Sequence, residues 1–132
     1  MRTLLRVALT MALMLSSYAG SSARTSSVTV TLSQLYGSGE AGTAVFSQAS
    51  DGVHVVMSLA GAPSGVDQPA HIHIGTCTKN VATQWVLHNL INGKSVSTLR
   101  GITLAELTSG KYVVNVHKST NDIASYVACG KI

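Results

Sequence analysis

A two-residue rhythm of apolar and polar positions runs through most of this chain. In SVTVTL (27–32), Val28, Val30 and Leu32 fall on one side and Thr29 and Thr31 on the other, the alternation of a strand with one buried face. GTAVFSQ (42–48) leads to Asp51-Gly52, a two-residue hairpin signal. VHVVMSLAG (53–61) returns from that turn with Val53, Val55, Met57 and Leu59 on one face. Turn chemistry fills GAPSGVDQP (61–69), and AHIHI (70–74) then alternates again. TQWVLHNLI (83–91) is an apolar run ended by Asn92-Gly93, and KSVSTLRGI (94–102) predicts another strand. TLAELTSG (103–110) breaks the rhythm. Thr103 and Glu106 fit a capping box and Gly110 a C-terminal cap, which predicts one short helical turn. KYVVNVH (111–117) and SYVACGKI (125–132) predict two closing strands. Seven or eight short strands with turn signals between them, undivided by repeat, linker or low-complexity block, predict one all-β domain, an antiparallel sandwich or barrel.

The first 23 residues do not belong to that pattern. Arg2 and Arg6 bracket a basic start, VALTMALML is an apolar stretch, and SSYAGSSA offers small residues for cleavage after Ala19 or Ala23. This is the layout of a secretory signal peptide; a retained anchor would need about 20 apolar residues. The expected mature domain, residues 24–132, is roughly 110 residues long, enough for one modest core. Without Arg2 and Arg6, seven basic residues face five acidic ones and the formal charge falls from +4 to +2. With one Phe and one Trp, there is no basic–aromatic stripe to hold nucleic acid. A secreted or periplasmic location also bears on Cys77 and Cys129. An oxidising compartment and the lack of a CxxC spacing favour a disulfide over two free thiols serving as metal ligands. Such a bridge closes a loop of 52 residues, which stabilises by about 4 kcal/mol in the chain-entropy treatment.

Five histidines carry the candidate chemistry. In a strand, His71 and His73 point the same way, roughly 7 Å apart, while Ala70, Ile72 and Ile74 point into the core. In KYVVNVH the core-facing set is Tyr112, Val114 and Val116, which leaves Lys111, Val113, Asn115 and His117 on the outward face. His71, His73 and His117 therefore share a site if their strands are neighbours; otherwise they are three unconnected surface histidines. Three neutral imidazoles suit copper, zinc or nickel, and copper leads on intrinsic affinity. His88, the single histidine between Cys77 and His117, is the local candidate for a fourth ligand. His54 reads as a solvated strand residue.

The order HIH, Cys, a strand ending in VH, and a terminal ACG resembles the copper/zinc superoxide dismutase family. That resemblance implies a Greek-key β-sandwich or barrel, with His71, His73 and His117 as copper ligands and Cys77 bridged to Cys129. AHIHIG and YVVNVH are also similar to chordin-type (CHRD) domains, which implies the alternative of a non-catalytic sandwich or interaction module. The chain departs from the dismutase pattern in three places. Between Cys77 and His117 there is one histidine, His88, and no aspartate, so the bridging histidine and the zinc ligands have no counterpart and no zinc site is expected. Tyr126 stands where the family has an anion-guiding arginine. The charged loop after the late histidine is shortened to KSTNDIASY. The implied function is an exported protein with one copper ion on three histidines and at most weakened superoxide dismutase activity. No membrane association is expected after cleavage.

Overall fold

The segments that alternate in sequence become strands because each can bury one face. The computed structural model describes residues 25–132. The expected signal peptide at 1–23, with cleavage expected after Ala19 or Ala23, lies outside the described residues. The elements are β1 (Ser27–Gln34), β2 (Ala41–Ala49), β3 (Gly52–Ala60), β4 (Asp67–Gln68), β5 (Ala70–Gly75), β6 (Asn80–Val86), β7 (Leu90–Ile91), β8 (Lys94–Leu99), α1 (Leu104–Leu107), β9 (Tyr112–Ser119) and β10 (Asp122–Lys131). The domain is all-β, and its strands form one curled antiparallel sheet in the order β4-β7-β8-β3-β2-β1-β10-β9-β5-β6. It has ten strands rather than seven or eight. Two of them, β4 and β7, are two-residue pieces that pair with each other. Among the described residues no helix is long and apolar enough to cross a membrane.

β1 joins the two halves of the barrel. Ser27–Leu32 pair with β2, whereas Ser33 and Gln34 pair with Cys129 and Ala128 of β10. The chain also changes halves between β6 and β7, so the apolar run 83–91 is split between two elements. β9 then returns to lie between β5 and β10 and not beside β8, a Greek-key connection. The inner faces meet in one core containing Leu32, Phe46, Val55, Met57, Ile72, Val114 and Val116. Full burial of each such side chain is worth about 1.5–3 kcal/mol.

Local signals hold with small displacements. The β2–β3 turn uses Ser50 and Asp51, and Gly52 already pairs with Ala49, one residue earlier than the Asp51-Gly52 turn expected. Asn92 and Gly93, with φ of 51° and 75°, turn β7 into β8 in the doubly positive conformation that such hairpins need. The capping box on Thr103 and Glu106 is present, but the helix ends at Thr108 rather than Gly110.

Two expectations about faces are corrected. Ile74, next to the end of β5, is 39% exposed, whereas Ala70 and Ile72 lie in the core. The face holding Val113, Asn115 and His117 is buried, not open. It is covered by the segment leading into β6, which the Cys77–Cys129 disulfide pins to β10, and by the β9–β10 hairpin.

That disulfide gives a direct test. Thiol reagent applied to the unfolded, unreduced protein is expected to find no free cysteine. Reduction is expected to lower the melting temperature by at least several degrees, given the loop-closure estimate of about 4 kcal/mol. Two titratable thiols in the unfolded, unreduced protein would contradict the bridge.

Candidate metal centre

The pairing of β5 with β9 builds the site. Along that ladder Ala70 faces Val116, His71 faces Asn115, Ile72 faces Val114 and His73 faces Val113. His117 lies one step further, its N–H bonded to Pro69 O at 2.8 Å. Because opposed residues share a face and the period is two, His71, His73 and His117 project together. One nitrogen from each lies within 4.8 Å of the other two. The ring centroids stand 4.6 Å apart for His71–His117, 5.7 Å for His71–His73 and 6.5 Å for His73–His117.

Two backbone carbonyls orient the rings from outside. His73 Nδ1–H donates to Val81 O at 2.8 Å, and His117 Nδ1–H donates to the Ile123 carbonyl. Local irregularities deliver both acceptors. β6 shifts register against β5 on either side of His73, and β10 shifts against β9 on either side of Tyr126; such bulges re-aim groups beside sites. With Nδ1 committed as donor, each of these rings presents Nε2 as its lone-pair nitrogen. His73 Nε2 is buried without a partner. His117 Nε2 lies 2.9 Å from His71 Nδ1 and accepts its proton in the neutral state.

The donor set fits a metal ion. Nitrogens bound at about 2.0–2.1 Å sit about 3.3–3.6 Å from one another around one ion, which the cluster reaches by small side-chain rotations. His71 must then shift its proton from Nδ1 to Nε2. Two of the three rings are disfavoured as imidazolium. Burial, followed by the neighbouring His117 and His73, lowers the His71 pKa to about 4. Burial also lowers that of His117, partly opposed by the Ile123 hydrogen bond, with a further lowering from His73. Ligation needs neutral imidazole, and both rings are neutral at pH 7.

Tyr126, which the resemblance sets at the guiding-arginine position, packs beside the cluster, and Asn115, on the same face of β9 as His117, was not nominated from sequence as a member of the site. The Tyr126 ring packs on His117 with centroids 4.6 Å apart and stands edge-on to His73 at 6.4 Å. Its hydroxyl is 3.5 Å from Asn80 Oδ1, a long hydrogen bond. Tyr126 also walls a cleft of about 590 Å³ that includes Glu40 and Lys118. Asn115 is fully buried, and neither its Oδ1 nor its Nδ2 has a partner. An unsatisfied buried amide costs about 1–3 kcal/mol. The available sequence signal was a polar residue inside the apolar run VVNVH.

The other two histidines stand elsewhere. His88 donates its Nδ1–H to Val96 O of β8 at 2.7 Å and is not part of the cluster. It is carried into the other half of the barrel where the chain leaves β6. His54 is exposed and bonded to Asp51 at 2.8 Å.

A pH dependence follows from the lowered values. Below about pH 6.5, the ordinary histidine value, the unfolded chain takes up protons at positions 71 and 117 that the folded, metal-free protein refuses. Stability is therefore expected to be level above pH 7.5 and to fall with acidification until the folded-state value near 4 is passed. Urea midpoints at several pH values check the sign, and an NMR titration placing the His71 midpoint near 6.5 would contradict it. Comparison of the chain with protein-family models and with curated proteins finds no match, so what the centre does is argued from its donors and their geometry.

Proposed function

We propose that this is an exported copper-binding protein of the copper/zinc superoxide dismutase-like type, with one ion held by His71, His73 and His117 and no zinc site. The observation that carries the reading is the donor set. Two histidines have their Nδ1–H groups tied to backbone carbonyls, and one has a buried, unpartnered Nε2. The order of HIH, the bridged cysteines and the late VH supports the family assignment. Copper is favoured over zinc and nickel because imidazole donors bind it most tightly in the divalent series. When bound, copper would supply one-electron exchange between its cuprous and cupric states, the chemistry that superoxide dismutation requires.

The chain's own residues set how well that chemistry is served. His73 and His117 have their rings held by backbone carbonyls, and His71, the least buried of the three, adjusts as metal enters. Charge guidance is weak. Tyr126 carries no positive charge, and Lys118, next to His117, has its ammonium 3.6 Å from Asp122. No side chain corresponds to a bridging histidine that could pass a proton at the metal. Dismutation is therefore expected to be slow if it occurs.

Titration of the exported protein with cuprous and cupric ions is expected to show one equivalent bound, with loss of stoichiometric binding in both His71→Ala and His117→Ala. Absent binding, or binding that survives both substitutions, would overturn the assignment and favour the non-catalytic module.

Pulse radiolysis of the copper-loaded protein is expected to give a rate well below the diffusion limit of about 10⁹ M⁻¹s⁻¹, with only a shallow dependence on salt. A rate near the limit that drops sharply with salt would show that another residue supplies the guiding field.

A further inference from the structure

On the face that carries the histidines, β5 and β9 present side chains as a two-column grid. His73 stands opposite Val113, His71 opposite Asn115, and His117 one step beyond Asn115 on the same strand. The three histidines thus occupy three corners of a skewed four-sided figure, and Asn115 occupies the fourth. Directly opposed side chains in such a ladder start about 4.5–5.5 Å apart, and same-face neighbours two residues along a strand about 7 Å apart. Asn115 is therefore within side-chain reach of the same point as the three rings. On its other side it faces Cys129 of β10, whose disulfide to Cys77 helps close the face over it.

We propose that Asn115 is the fourth donor of this centre, its Oδ1 serving as a weak oxygen ligand that favours the cupric over the cuprous state. The inference rests on the copper reading above and extends it. Two observations carry it independently of the histidines. The amide is fully buried, and both of its polar atoms lack a protein partner, although the positions flanking it in the run, Val113, Val114 and Val116, are apolar and equally buried. A valine, like those at 113, 114 and 116, would satisfy packing without stranding two polar atoms. An amide oxygen is a hard, neutral donor. It suits divalent copper, whereas cuprous copper is content with few and soft ligands. His88, the fourth ligand suggested by sequence proximity, is committed to Val96, so the role falls to a residue already on the face.

The test compares wild type, Asn115→Leu and Asn115→Asp, each titrated against cupric and cuprous chelator competitors and examined by electron paramagnetic resonance when cupric-loaded. Asn115→Leu is expected to weaken cupric binding by about tenfold or more and cuprous binding by no more than about twofold, and to change the cupric hyperfine coupling. Asn115→Asp, which keeps an oxygen, is expected to hold or raise cupric affinity. Equal weakening of both oxidation states, or no weakening of either, would overturn the proposal. Wild type that binds copper while the variants behave in any of those ways refutes the role of Asn115 alone. Wild type that binds neither ion refutes the copper reading and this proposal together.

Discussion

The register between β5 and β9 is the constraint on which the rest of the site depends. With His71 opposed to Asn115 and His73 to Val113, three imidazoles from two non-consecutive strands converge. Ile72, Val114 and Val116 meanwhile enter the core from the opposite face. A slip of one residue would exchange those faces. It would carry valines and an isoleucine out of the core and imidazoles into it, so core packing and site assembly select the same register. The site is precise because the apolar residues between its members hold it in place.

Around that ladder, the enclosing elements supply orientation instead of ligands. The start of β6 brings Val81 O to His73, and the start of β10 brings the Ile123 carbonyl to His117. Both segments depart from regular pairing where they do so. The Cys77–Cys129 bridge ties the segment leading into the first of them to β10. The same covering lowers the affinity of His71 and His117 for protons. One arrangement thus fixes ring orientation and keeps lone pairs available at neutral pH.

The surroundings of the centre differ from its donors in character. The donors form a tight cluster, but the approach lacks concentrated positive charge, and an aromatic ring covers His117. Lys118 is already beside Asp122. Such an environment favours holding an ion over drawing in an anionic substrate, because steering needs a field that neighbouring opposite charges have not cancelled. It is the physical ground for separating metal binding from rapid turnover in the proposed function.

Much of the fold was legible because its signals are local. Alternation at β1 and β3, the Asn92-Gly93 turn and the Thr103–Glu106 capping box depend only on near neighbours in the chain. The strand count fell short because β4 and β7 are two-residue pieces, β4 defined only by its pairing with β7 and β7 lying between β4 and β8, and the run 83–91 hid a crossing that no periodicity marks. Spacing alone determined that His71 and His73 share a face, and that His117 lies on the face opposite Val114 and Val116. Tertiary structure decided that these faces meet, that the shared face is buried under a disulfide-pinned segment, that His88 is sent to the other half of the barrel, and that Asn115 shares the buried face with the histidines. Sequence determines the face of a strand through its two-residue period, but only long-range pairing and register decide what that face will meet.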